Sequence, residues 1–354
     1  MWLLPEWAPN FHPLIVHFPI ALLFLAGLVD IAGLLFRDKP FFSTATVSLY
    51  MLGAIAALAA FLTGRAAADS VFLTADANAL LTIHADMGSY TFYFFGVYSL
   101  IRLGIMFTPL KDKFAFRGFL TVVGLAGITL MTLTATRGAE LVFNYGAGVA
   151  AVDNSVSNID VAIDESGQIS SDPVVSEDGG WTWKPVRASS WTSSVEFLEN
   201  RSALTTSAMV DGGDRGDVLG LTTDGSAMSF VYPHDLQDLQ IDAAINVDAF
   251  DGVVMFIHNV LDASNFRFTS VGNGVMRQGR SENGDIFLYD EKPFEPDGWV
   301  TIRVVNDGTH TRAYSGEDLI AHGHGDTPDP GPVGIRLNGS GTVKLDFMSV
   351  QKLN

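Results

Sequence analysis

The stretch Pro13–Phe36, PLIVHFPIALLFLAGLVDIAGLLF, decides how the first half of this chain is read. Its only charged residue is Asp30. It also exceeds the ~20 apolar residues that carry an α-helix across a hydrocarbon core. Three similar stretches follow at Ser43–Thr63, Leu81–Phe107 and Gly118–Thr136, broken only by Asp86 and Arg102. The first lacks the basic leader and small-residue cleavage site of a signal peptide, so it is expected to stay as a helix. Residues 1–150 are therefore predicted to form a domain of four transmembrane helices in contact with the lipid bilayer. Arg37 and Lys39 lie between the first and second stretches, and Lys111, Lys113 and Arg117 between the third and fourth. The remaining connection offers Arg65 against Asp69 and Asp76, and the N-terminus has only Glu6. The excess of basic residues on one side puts both termini outside. For a bacterial inner membrane that means a multi-pass protein with its C-terminal domain in the periplasm. Trp2 and Trp7 suit an interfacial aromatic belt.

The whole chain has 354 residues, a mean hydropathy of +0.26 and a formal charge of −18. Residues 1–150 hold eight Lys and Arg against eight Asp and Glu, whereas 151–354 hold thirteen against thirty-one. A neutral apolar half joined to an acidic polar half excludes one soluble globular enzyme. It also excludes a nucleic-acid binder, which needs a basic surface to displace counterions. Cysteine is absent, which removes disulfides, thiolate metal sites and a cysteine nucleophile. Residues 151–180, rich in Ser, Asp, Val and Gly, read as a linker or docked arm. From Trp181 onward, short β-type runs appear at Ile241–Val247, Gly252–His258, Phe266–Val271, Asp285–Tyr289, Trp299–Val305, Thr311–Ser315, Val333–Leu337 and Val343–Val350. The pairs Asp224-Gly225, Asn283-Gly284, Asp307-Gly308 and Asn338-Gly339 favour tight hairpin turns. Residues 181–354 are thus predicted to be an all-β antiparallel sandwich.

Histidines carry the chemistry of the first half. His12 and His17 stand at the outer start of the first helix and His84 at the outer start of the third. Pro13 suits a first helical position, and Pro19 frees the Ile15 carbonyl and kinks the helix beside His17. Ionisable groups within membrane helices usually face the bundle interior. Histidines from two helices at one depth can hold a haem iron, His17 with His84 being the favoured pair. The plainer reading is that such histidines cap helix ends. His12–Leu22 resembles the opening of an uncharacterised family of four-helix bacterial membrane proteins. That family closes its fourth helix with Gly-Gly-Glu-Leu-Val-Tyr-x-His-Gly-Val-x-Val, where this chain reads Gly138-Ala139-Glu140-Leu141-Val142-Phe143-Asn144-Tyr145-Gly146-Ala147-Gly148-Val149. The resemblance implies a haem b environment of His12, His17, His84 and Tyr145. Tyr145 stands where the family has a histidine.

Residues 181–352 resemble concanavalin A-like jelly-rolls of the laminin-G and keto-disaccharide-hydrolase-like kind. The likeness rests on Gly252–Phe256 with Asp262–Phe268, on Gly298–Val304, and on Gly331–Leu337 with Val343–Val350. Glycosidases of this fold carry paired carboxylates on one strand, and no such run occurs here. Asp211, Asp214 and Asp217 offer oxygen ligands for calcium or form a solvated acidic turn. His322-Gly323-His324 has metal-ligand spacing in a Gly-rich segment read as a loop, with no third ligand in view. Trp181, Trp183 and Trp191 suit either stacking on sugars or packing under the sandwich.

These features together predict a non-catalytic accessory subunit of a respiratory or photosynthetic electron-transfer complex. Its partners would be other integral membrane subunits of that bioenergetic complex and a basic periplasmic c-type cytochrome attracted by the acidic half. The alternatives are a membrane-tethered carbohydrate- or polymer-binding protein and a stand-alone haem b oxidoreductase.

Overall fold

The computed structural model describes residues 10–37, 39–149, 172–177, 179–187 and 191–353. Trp2, Trp7 and all of 150–171, most of the expected linker, lie outside the described residues. The helices are α1 (His12–Ile15), α2 (His17–Leu35), α3 (Pro40–Ala68), α4 (Ala75–Ile105) and α5 (Phe114–Tyr145). The break between α1 and α2 falls at Val16. Pro19 has no N–H to give the Ile15 carbonyl, which accounts for a break in the helix beside His17. Proline also opens α3. Gly146, left-handed at φ 65°, ends α5, its N–H bonded to the Val142 carbonyl.

Three of the four expected spans are long and apolar enough to cross a membrane: His12–Leu35, Pro40–Ala68 and Phe114–Tyr145. The fourth, α4, is helical but is diluted by Tyr90, Tyr93, Tyr98, Asp86 and Arg102. Some of that polarity is internal. Arg102 forms a buried ion pair with Asp30 of α2. Its Nε donates to Tyr98 Oη at 2.9 Å, and Tyr98 donates to the Leu120 carbonyl of α5 at 2.7 Å. Leu23, Ala26, Tyr50, Phe95, Leu120 and Ile128 pack around this network. Leu28, Leu35, Ile55, Val122 and Phe143 are exposed on the outward faces, an apolar surface suited to lipid.

Among the described residues, the second half is an antiparallel β-sandwich of fourteen strands. They begin with β1 (Val174–Val175), β2 (Trp181–Trp183), β3 (Glu196–Glu199), β4 (Leu204–Asp211), β5 (Asp217–Asp224), β6 (Met228–Leu236) and β7 (Leu239–Asp262). They continue with β8 (Asn265–Gly272), β9 (Val275–Glu282), β10 (Asp285–Pro293), β11 (Trp299–Asp307), β12 (His310–Ser315), β13 (Asp318–His324) and β14 (Gly331–Lys352). Strands β7 and β14 each join two runs that the sequence separates. They pair along most of their length and pass together from one layer into the other. In one layer they pair with β2, β5 and β11; in the other with β6 and β8. Asn338-Gly339, expected as a hairpin turn, instead lies within β14, with Gly339 opposite Gly252. A Cβ on either glycine would collide with the facing strand's carbonyl oxygen, so the crossing requires bare backbone there. Trp181, Trp183, Trp191, Phe230, Ile241, Phe256 and Leu345 fill the core between the layers.

The chain divides into two compact units, Met1–Leu73 with Leu80–Asp153, and Thr74–Ala79 with Asn154–Asn354.

Candidate functional site

His12 opens α1 and His84 lies on α4, yet their rings stand 6.3 Å apart between centres, at 70° to one another. Neighbouring helices fix both. His84 Nδ1 is 3.0 Å from the carbonyl oxygen of Thr134 on α5. A carbonyl only accepts, so that Nδ1 carries the proton. His12 Nδ1 is 3.3 Å from Thr63 Oγ1 on α3, whose hydroxyl donates to the Ala59 carbonyl at 2.9 Å. The hydroxyl therefore accepts from His12. With both Nδ1 atoms protonated, each neutral ring keeps its lone pair on Nε2. Metal-ligating histidines have this arrangement, with an outer partner fixing tautomer and orientation. Glycines seat the two rings. A Cβ on Gly64 would stand 2.9 Å from His12 Cε1, and one on Gly138 would stand 2.9 Å from His84 Cε1.

The pair favoured from sequence, His17 with His84, is not the pair brought together. His17 is exposed at the start of α2. The break at Val16 separates it from His12, which lies on α1. Tyr145 ends α5, half-buried. It lies seven residues beyond Gly138, about 10 Å farther along the helix axis than the glycine that touches His84.

In the sandwich, Asp211 and Asp217 are opposite one another across β4 and β5 with Asp214 in the turn between, and the three do not form a metal-ligand cluster. Asp211 Oδ1 accepts from the Gly213 N–H at 2.8 Å, closing the turn. Arg215 within the turn reaches Asp346 at 2.7 Å. The three tryptophans are core residues, so none offers a stacking surface to sugar. His322-Gly323-His324 lies on β13 rather than in a loop, and His310 of β12, which the sequence reading left out, stands opposite. The signal for it was the short hairpin around Gly316, which pairs His310 with His324. His258 was also missed. It is fully buried on β7, its Nδ1 donating to Asn259 Oδ1 at 2.7 Å. Burial pushes His258 down to about 4, the Asn259 bond opposing this and the charge of Arg267 adding to it.

Residues 8–151 match the sequence profile of a family described as "Predicted membrane protein (DUF2231)". That description names a membrane protein, so the haem reading rests on the histidines themselves. No curated protein matches the chain. Among solved structures, the carbohydrate-binding module CBM66 from Bacillus subtilis is 15% identical at a TM-score of 0.38. The match covers 45% of this chain and 96% of that one. The β-glucanase of Bacillus licheniformis is 12% identical at 0.36, covering 50% and 100%. Galectin LEC-6 of Caenorhabditis elegans is 12% identical at 0.29, covering 37% and 95%.

Proposed function

We propose that this chain is a non-catalytic accessory subunit of a membrane electron-transfer complex, respiratory or photosynthetic, with haem b held between His12 and His84. The carrying observation is the pair of rings from two helices, each with Nδ1 committed to a neighbouring helix and Nε2 left as ligand. The two rings stand 6.3 Å apart between centres, and they are the residues that would hold the group. Bound there, haem b supplies one-electron transfer. Thr63 and Thr134 hold the proton on each Nδ1, while Gly64 and Gly138 keep the rings seated.

The bracing role rests on the sandwich, taken to lie on the periplasmic side. Strand β10 pairs with β9 alone among the described strands. It carries Ile286, Phe287 and Leu288 in succession, all about half exposed. A half-exposed apolar segment of this kind suits contact with another subunit. The acidic half of the chain would attract a basic c-type cytochrome and raise its rate of encounter.

Purification from native membranes in mild detergent tests both parts, with a visible spectrum and subunit identification on the same peak. A reduced b-type spectrum and co-migrating redox subunits are expected. His12→Ala and His84→Ala should each abolish the Soret band, while His17→Ala leaves it intact. A Soret band that survives both of the first two changes would rule out the ligand pair. A colourless, solitary protein would favour the carbohydrate-binding alternative.

A further inference from the structure

We propose that His310, His322 and His324 form a binding site for one first-row divalent transition-metal ion, zinc in the first instance. The site is built by sheet register. His310 and His324 are directly opposite across the antiparallel β12–β13 pair. His322 lies two residues before His324, so the two-residue period of a strand puts all three on one face. Their ring centres are 4.6, 4.9 and 5.9 Å apart, and one ligand nitrogen from each lies within 4.8 Å of the others. A tetrahedral ion with ~2.1 Å bonds needs nitrogens ~3.4 Å apart, a closure that histidine side-chain rotation can supply.

The strands under the three rings are closely packed against β10. A Cβ on Gly323 would stand 2.5 Å from Tyr289 Cβ, and one on Gly325 would stand 2.7 Å from Tyr289 Cζ, so bare backbone presses β13 against β10. The His322 N–H donates to Asp290 Oδ2 at 3.0 Å, which ties the two strands at the site itself. Three imidazoles and no carboxylate favour zinc, copper, nickel or cobalt over calcium and magnesium. His324 is exposed and His310 and His322 are half-buried, which leaves the ion a path of entry. Three protein ligands also leave a fourth position for water or an outside donor, the open form of a zinc site. Arg312, across from His322, and Arg303, paired with Asp242, are positive groups on this face, and Asp307 lies opposite His310. The Arg312 guanidinium is buried, while the surrounding half of the chain is strongly acidic.

Isothermal titration of the full-length protein in detergent with zinc chloride tests this, alongside thermal melts with and without the metal. The wild type should bind one ion tightly and melt at a higher temperature with zinc. His324→Ala, at an exposed position, should weaken binding at least ~10-fold and lose the zinc-dependent shift, since even outer-shell changes cost 10–100-fold. His310→Gln should do the same. His12→Ala with His84→Ala should leave zinc binding unchanged, which separates this site from the haem reading. Equal binding by the wild type and His324→Ala would overturn the proposal, as would loss of binding only in the double helix variant.

Discussion

His84 is pressed against Gly138 so closely that a single methyl group there would touch its ring. Gly138→Ala therefore tests the seat without removing a ligand. Alanine favours a helix over glycine by up to ~1 kcal/mol, so any loss would come from the displaced imidazole rather than from the helix. The Soret band should weaken while the far-ultraviolet dichroism stays unchanged; an unaltered band would mean that the seat is not needed. His258 makes a second prediction at this scale. In the unfolded chain it titrates near 6.5, and in the folded sandwich near 4. Between those values the unfolded state takes up a proton that the folded state refuses, so stability falls as pH drops from about 6.5 to 4. The loss approaches about 3 kcal/mol and is absent above pH 7. Denaturant titrations of wild type and His258→Gln at pH 7.5 and 4.5 check it, the variant being expected to lose less stability on acidification. Both sets of histidines were visible in the sequence as residue types. What could not be read was which ones meet, because the break at Val16 separates His17 from His12.

Asp30 and Arg102 look like stray end charges in two apolar stretches, yet across α2 and α4 they form one buried pair. Breaking such a pair leaves a charge without its counter-ion and typically costs 3–5 kcal/mol, whereas replacing both with apolar residues costs far less. Arg102→Leu should therefore lower the melting temperature in detergent strongly, and Asp30→Leu with Arg102→Leu should recover most of it. If the double variant is no better than the single, the two side chains are not coupled. Element by element, the helices were the most legible part, since uninterrupted apolar length is a local property. The sandwich strands were legible where residues alternate, as in β11, and not in β4, whose LTTSAMVD is mostly polar or small. The junctions inside β7 and β14 were missed for another reason. Glycine marks a turn and a strand crossing alike, and only the partner strand tells them apart.

At the scale of the molecule, the charge division near residue 150 was plain in the sequence and foreshadows the two compact units. The number of membrane crossings is harder to read, and the side on which the sandwich lies depends on it. With three crossings the sandwich would face away from the N-terminus; with four it faces the same way. The polar content of α4 lowers its hydropathy, but its Arg102 is neutralised internally and its basic flank, Lys111 and Lys113, matches Arg37 and Lys39 at the α2–α3 connection. Four crossings are therefore expected, with the sandwich outside. The cysteine-free chain is a ready background for single labels. Asp69→Cys between α3 and α4 and Asp214→Cys in the sandwich should react with an impermeant maleimide in spheroplasts. Lys111→Cys, between α4 and α5, should react only after lysis. If Asp69→Cys and Lys111→Cys label from the same side, α4 does not cross, the sandwich moves to the opposite face from the one proposed, and a periplasmic cytochrome can no longer be its partner.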